Sequence, residues 1–310
     1  VGVDVGGTKI AAALVAADGA ILDARRTPTP RGGDALLSAV ARLVREIAQA
    51  APSPPTAVGF GIASLLDHQG RALWSTHLDI ADRMPGDELE ALVGMRVVVD
   101  NDANVAALAE ARRGAAREFR SSVLMTLGTG IGGGMVIDGH VFRGGRGFGG
   151  ELGHVVVDAD GPPCQGGCPN RGCVEAMASG TAVAREARAA AAADPTGALA
   201  RIQRESGALT AENVTTLARD GDASCLEILD RAGRYLGVAL SSLANVLSPD
   251  VFVIGGGMGS AVGELVLSPA REEYRRRVLP PSIDVPILEA ELGADAGVLG
   301  AALLAMETFE

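Results

Sequence analysis

Two stretches of the chain repeat one another, and this repeat limits the possible folds more than any other feature. The first runs Val1-Gly2-Val3-Asp4, Gly6-Gly7-Thr8, Ile10 to Val15, Asp18-Gly19, then an apolar start at Ile21. The second runs Val123-Leu124-Met125-Thr126, Gly128-Thr129-Gly130, Gly133 to Ile137, Asp138-Gly139, then His140-Val141. Each reads as strand, glycine turn, strand, Asp-Gly turn and strand, with residues that tolerate positive φ at the tight corners. A supersecondary unit that recurs in this way predicts two similar halves facing a cleft, each supplying one glycine turn to it.

The segments between and after the repeats alternate strand and helix. Leu36, Leu37, Val40, Leu43, Val44 and Ile47 fall at helical spacing within Asp34 to Gln49. Pro52 to Pro55 end that helix before a strand over Ala57 to Ile62. Val97-Val98-Val99 forms a further strand, which runs into Asp100-Asn101-Asp102 and a helix over Ala103 to Arg112. Ala182 to Leu247 is mostly helical, Val251 to Ile254 is a strand ending in Gly255-Gly256-Gly257, and Ala296 to Met306 is a helix rich in small residues. Strands joined by crossover helices give an α/β architecture. With 310 residues, 47% of them apolar, the chain is large enough for two domains. The expected division is 1–104 plus 296–310 for a smaller domain, which the last helix rejoins, and 105–295 for a larger one.

Charge narrows the class of partner. A formal net charge of -11 argues against general affinity for nucleic acid or an anionic membrane, and favours a neutral, hydroxyl-rich small molecule. No apolar run approaches the roughly 20 residues of a membrane span, and the chain opens on a strand, so the expected location is cytoplasmic.

Three groups of residues carry chemistry. In Asp4-Val5-Gly6-Gly7-Thr8-Lys9 the glycines let backbone amides close on phosphate oxygens, Thr8 adds a hydroxyl donor, and Asp4 is suited to hydrated Mg2+. The turn around Gly128, Thr129 and Gly130 offers the same chemistry, and neither turn has the Gly-Lys-Ser/Thr of a Walker loop. A lone turn of this kind is more often a plain hairpin; two at equivalent places, with Gly255-Gly256-Gly257, favour a nucleotide cleft. Next, Asp102 stands at a strand end, where one carboxylate suffices to accept the proton of a hydroxyl undergoing phosphorylation. The same position suits a helix N-cap, and the two readings stay open on position alone. Last, Cys164, Cys168, Cys173 and His154 place three thiolates and an imidazole within about 20 residues, the ligand set of a closed, structural Zn2+ site. Gly, Pro and Asn surround these cysteines, so reduced thiols buried in an apolar core are the poorer reading, whereas Cys225 lies on a helical pattern and reads as core.

Taken in order, these motifs resemble the ROK family of actin-like, hexokinase-type sugar kinases over essentially the whole chain. Asp4 to Lys9 is similar to the family's first phosphate motif, Leu127 to Gly134 to its second, and Ile254 to Gly257 to its adenosine motif. Glu151-Leu152-Gly153-His154 resembles the family's Glu-x-Gly-His, and the loop ending Gly172-Cys173-Val174-Glu175 resembles its cysteine loop. The resemblance implies an actin-like (ribonuclease H-like) ATPase fold and an enzyme that transfers phosphate from ATP, with Mg2+, to a hexose, most simply glucose to glucose 6-phosphate. It implies Asp102 as the catalytic base, with Asn101, Asp102, Glu151, His154, Glu175 and His77 around the sugar. It also implies that His154 uses one ring nitrogen for the metal and the other toward a sugar hydroxyl. A homodimer or homotetramer is expected from it.

The sequence departs from the family pattern in three places. Cys164 sits two residues further upstream than the pattern places it. Ala63-Ser64 stand where Pro-Gly is usual, and His77 stands where a sugar-binding Asn is usual. The last two changes leave N-acetylhexosamine, mannose and fructose open as alternative substrates. The family also includes sugar-responsive repressors, which carry a winged helix-turn-helix ahead of the first glycine motif. Here that motif begins at Asp4, and the expectation is an enzyme.

Overall fold

The computed structural model describes residues 1–76 and 78–309, so His77 lies outside the described residues. The chain begins with β1 (Gly2–Val5), β2 (Lys9–Val15) and β3 (Ile21–Pro28), followed by α1 (Gly33–Ala50), β4 (Ala57–Ile62), β5 (Leu65–Leu66) and β6 (Ala72–Trp74). Next come α2 (Pro85–Val93), β7 (Arg96–Asn101) and α3 (Asp102–Arg113), then the second repeat as β8 (Ser122–Leu127), β9 (Ile131–Ile137) and β10 (His140–Val141). The helical stretch holds α4 (Val174–Ala178), α5 (Gly180–Ala193), α6 (Ala198–Ser206), α7 (Ala211–Arg219) and α8 (Ala223–Leu247). The chain closes with β11 (Val251–Gly255), α9 (Gly256–Val262), α10 (Glu264–Arg277), β12 (Ile287–Glu289) and α11 (Ala296–Phe309).

The two repeats produce the same strand order. One five-stranded sheet runs β3-β2-β1-β4-β7 and the other β10-β9-β8-β11-β12, so in each the three repeat strands lie in reverse order and two later strands extend the far side. In the first sheet β1 is antiparallel to β2, with Val3 opposite Ala12, and parallel to β4, with Val3 beside Phe60. β4 in turn runs parallel to β7. A central parallel strand is covered on both faces, and β4 is buried at every residue, as its apolar run predicts. β3 lies at the edge and carries Asp23, Arg25 and Arg26, charges that discourage pairing with another chain.

The chain packs as two compact units. The first holds Val1–Leu124, Gly134–Gly150 and Ala294–Glu310; the second holds Met125–Gly133 and Glu151–Gly293. This grouping differs from the division at 104/105 expected from the repeat, because α3 packs extensively on α11 and the 105–124 segment follows it. In the first unit α1 buries the predicted stripe from Leu36 to Ile47. α11 is apolar nearly all round and buries Val298, Leu299, Ala301 and Ala302 against β1, β4 and α3. In the second unit α8 packs along α10, and Phe252 of β11 meets Tyr274 of α10 edge to face at 6.0 Å.

The approach of α11 to α3 is possible only through glycine. A Cβ built on Gly300 would lie 1.7 Å from the Val105 carbonyl oxygen, and that oxygen belongs to helical backbone that cannot step aside. Gly300→Ala is therefore expected to destabilise the chain by about 3 kcal/mol or more, through overpacking rather than loss of contact. Urea denaturation of the wild type and the variant measures the difference. A change within about 0.5 kcal/mol would mean that α11 has room to shift.

Candidate active site

In the first unit the turn after β1 is drawn tight by the Gly6 N–H donating to the Lys9 carbonyl at 3.1 Å. Thr29 secures it from β3's far end, its hydroxyl donating to the Gly6 carbonyl at 2.7 Å and its N–H to the Thr8 carbonyl at 3.1 Å. Gly7, Thr8 and Lys9 are exposed, which leaves their polar groups open to a ligand. Asp4 precedes the turn. Burial pushes its carboxyl up to about 7, the charge of Asp102 adds to the rise, and Lys9 opposes it.

Asp102 also lies well above the ordinary carboxylate range, again chiefly through burial, with the Ala103 N–H partly offsetting the rise. The helix cap falls to its neighbour. Asn101 is the N-cap of α3, its side-chain oxygen accepting from the N–H groups of Ala103 at 2.9 Å and Asn104 at 3.2 Å. Its amide nitrogen donates to the Ser64 carbonyl at 3.3 Å. Position alone left Asp102 either a cap or a base; the main capping duty belongs to Asn101, while the Asp102 carboxylate accepts from the Ala103 N–H at 3.0 Å.

Asp100 anchors this strand end. It is almost fully buried, and its carboxylate accepts from Nε of Arg143 at 2.8 Å, from the Asn104 amide at 2.9 Å and from the Asn101 N–H at 2.7 Å. A second guanidinium nitrogen of Arg143 lies at 2.6 Å, which makes the pair two-pronged. Sequence reasoning passed over Arg143, which stands 43 positions away with no local pattern linking it to Asp100. The only available signal was an acidic residue at the end of an otherwise apolar strand.

In the second unit His154 and the three loop cysteines converge. Their ligand atoms all lie within 4.8 Å of one another. Nδ1 of His154 is 3.6 Å from Sγ of Cys164, and Sγ of Cys168 is 3.9 Å from Sγ of Cys173. Ligands at Zn–S and Zn–N bond lengths in a tetrahedron are separated by about 3.4–3.8 Å, which these two separations approach, so the ligand set and its convergence are compatible with that ion. The four cysteines are free thiols, and the Cys168–Cys173 separation is far beyond a disulfide bond. Cys164 joins the cluster despite its shifted position, because Gly166 and Gly167, at φ of 67° and 80°, fold the longer spacing back on itself. Burial pushes the thiols of Cys164 and Cys173 up, and neighbouring thiols and Glu175 push Cys164 further; a cation would reverse that balance. The other ring nitrogen of His154, Nε2, is 3.8 Å from the Glu151 carboxylate.

The second glycine turn is held by the segment that follows the cluster. The Gly128 N–H donates to the Gly130 carbonyl at 2.9 Å, and the Gly180 N–H to the Gly128 carbonyl at 2.8 Å. Glu175 accepts from the Ile131 N–H at 2.9 Å. A Cβ on Gly130 would sit 2.3 Å from that carboxylate, so a side chain here would displace Glu175 from its place on the turn. Gly255 ends β11, and Gly256 and Gly257 open α9; Gly256 comes so close to β8 that a Cβ would meet the Leu127 carbonyl at 2.3 Å. Among the expected residues, Asp4 to Lys9, Asn101 and Asp102 thus belong to the first unit. Gly128 to Gly130, Glu151, His154, the cysteines, Glu175 and Gly255 to Gly257 belong to the second.

Twin sheets of one strand order, each with a glycine turn after its first repeat strand, define the actin-like ATPase fold of the sugar kinases. The chain matches the ROK family over residues 1–308 and belongs to that family. It is 36% identical to a glucokinase of Streptomyces coelicolor over 315 residues, covering 99% of this chain and 97% of that one. It is 34% identical to an N-acetylmannosamine kinase of Escherichia coli over 310 residues, covering 98% and 97%. Among solved structures, a ROK family glucokinase from Streptomyces griseus in complex with glucose and AMPPNP superposes with a TM-score of 0.86 at 36% identity, covering 99% of this chain and 98% of that one.

The raised pKa of Asp4 has a consequence for stability. In the unfolded chain the group titrates near 3.8, and in the native state near 7, so the native state holds an extra proton between those values. Stability is therefore lost as pH rises through that window. Asp4→Asn removes the loss. The variant is expected to gain on the wild type as pH rises from 4 to 8, by on the order of 2–4 kcal/mol, in urea titrations of the ligand-free protein. A difference that stays flat with pH would place Asp4 in water in the folded state.

Proposed function

We propose that this ROK family enzyme, an ATP-dependent sugar kinase, phosphorylates glucose at its primary hydroxyl, with Asp102 as the base. The hydroxyl oxygen attacks the γ-phosphorus of ATP, the bond from that phosphorus to the β-bridging oxygen breaks, and ADP leaves while the hydroxyl proton passes to Asp102. The observation that carries this reading is the division of labour at the end of β7. Asn101 caps α3 and Asp100 is paired with Arg143, which leaves Asp102 as the desolvated carboxylate at this strand end, its pKa raised by burial, and so the group to take the hydroxyl proton. Glu151, His154 and Glu175 would hold ring hydroxyls, with Asn101 adding a donor from its amide. Asp4, Gly6, Gly7, Thr8 and Lys9, with Gly128 to Gly130, would bind the phosphates and Mg2+, and Gly255 to Gly257 the adenosine.

Zn2+ on His154, Cys164, Cys168 and Cys173 would act as a fastening for the loop, since its four ligands leave no open position for water. Purified protein is expected to carry about one zinc per chain, and chelation to lower Tm and weaken sugar binding together. Full thermal stability and sugar affinity in zinc-free protein would remove the ion from this account.

Glucose is favoured by the relatives at 36% identity, but N-acetylmannosamine kinases stand close behind at 34–35%, and Ala63-Ser64 depart from the family pattern. An ADP-release screen over glucose, mannose, fructose, N-acetylglucosamine and N-acetylmannosamine is expected to give glucose the highest kcat/KM. Asp102→Asn is expected to cut kcat by about a thousandfold or more while leaving the sugar Kd nearly unchanged. An N-acetylated sugar in first place would overturn the glucose reading alone. A variant keeping a tenth of the wild-type rate would take the base away from Asp102.

A further inference from the structure

The longer spacing between Cys164 and Cys168 contributes more than slack. Gln165, the first residue of that spacing, reaches out of the cysteine loop, and its side-chain amide donates to the Thr129 carbonyl at 3.1 Å. The same carbonyl accepts from the Thr181 hydroxyl at 2.8 Å and the Thr181 N–H at 3.3 Å. On the next peptide Glu175 takes the Ile131 N–H. The second glycine turn is thus gripped at two neighbouring peptides, and both grips come from the cysteine loop and the segment directly after it.

The planarity of the peptide unit gives this grip a direction. In a trans peptide the carbonyl of Thr129 and the N–H of Gly130 point to opposite sides. Donors that hold the Thr129 oxygen toward Gln165 and Thr181 therefore turn the Gly130 N–H the other way and keep a carbonyl lone pair from facing the ligand of this turn. For an anionic ligand the difference is large, because a flipped peptide replaces an N–H donor with a repelling oxygen. Gly130 lacks the Cβ that would resist such a flip, and glycine rotates freely about the bonds that a flip uses.

We propose that Gln165 is a positioning residue for nucleotide phosphate: it locks the Thr129–Gly130 peptide of the second glycine turn in its donor orientation and so couples the cysteine loop to ATP as well as to sugar. The proposal rests on the kinase reading above. Its substrate class is the triphosphate chain of ATP, and its signature is selectivity. A residue that merely held the cysteine loop together would weaken sugar and nucleotide alike and release zinc.

The test uses Gln165→Ala, which removes the donor, and Gln165→Glu, which keeps the shape and replaces the donor with an acceptor. Calorimetry with AMPPNP and, separately, with glucose gives the two affinities, and elemental analysis gives the zinc content. Both variants are expected to raise the AMPPNP Kd and the KM for ATP about threefold to tenfold, the loss of one hydrogen bond. Gln165→Glu should be the more affected, with the glucose Kd and zinc content held at wild-type values. Unchanged AMPPNP affinity in both variants would overturn the proposal. So would an equal loss of glucose and AMPPNP binding, or loss of zinc, since each makes Gln165 a structural part of the loop. A wild-type protein that binds neither AMPPNP nor glucose would instead overturn the kinase reading on which the proposal stands.

Discussion

Three thiols and an imidazole with all their ligand atoms within 4.8 Å of one another are the constraint on which the functional half of the second unit depends. The loop that carries them is otherwise exposed and poor in apolar side chains, so it has little hydrophobic burial of its own to hold it. Order spreads outward from the cluster. Cys173 is the residue immediately before α4, and fixing its sulfur fixes the start of that helix. Glu175 lies two residues further on and holds the Ile131 N–H at the end of the second glycine turn. Gly130 leaves room for that contact, since Glu175 occupies the space a side chain would take. A metal-type cluster, a carboxylate and a glycine turn are thus successive links of one chain of contacts.

The fold was largely legible because its cues are local. Asp-Gly and Gly-Gly turns between apolar runs name their own conformations, and the repeat of those cues at Val1 and Val123 became two sheets of one strand order. The helical stripe of α1 and the short buried strand at β11 were likewise readable from spacing. What escaped were contacts set by the third dimension. Arg143 and Asp100 meet across 43 positions, Gln165 reaches Thr129 across 36, and neither pair leaves a trace in periodicity or composition. The capping assignment at Asn101 and Asp102 was ambiguous for another reason. Both residues cap well, and a shift of one position in the helix start exchanges their roles.

Substrate preference is the part of the problem that whole-chain similarity resolves least. Identities of 36% to a glucokinase and 34% to an N-acetylmannosamine kinase differ by too little to separate two sugars, which differ by an acetamido group and a stereocentre. Such discrimination comes from a few hydrogen-bonding groups placed against particular hydroxyls. In the first unit the relevant departure is already built into the scaffold. Ser64 is buried, its hydroxyl donates to the Trp74 carbonyl at 3.0 Å, and its own carbonyl receives the Asn101 amide. The residue that replaces the usual glycine therefore has its side chain turned inward to brace the β5–β6 ribbon, and its backbone orients Asn101.

The acidic residues of the first unit show how one local scaffold separates a paired carboxylate from desolvated ones. Asp100 and Asp102 are two positions apart, yet the first is buried against a guanidinium, an amide and a backbone N–H, while the second is desolvated with hydrogen bonds from its own helix start, the Ala103 N–H among them. Asp4 is desolvated too and feels Asp102 as a like charge. Placing two such carboxylates near one another works against folding at neutral pH, where each would carry its charge at a cost. A scaffold selected for stability alone would pair both or replace both with amides. The chain instead sets the Arg143 guanidinium on Asp100, which fixes the backbone at the end of β7, and leaves Asp4 and Asp102 desolvated, so that a bound cation or proton would relieve a cost the fold itself carries.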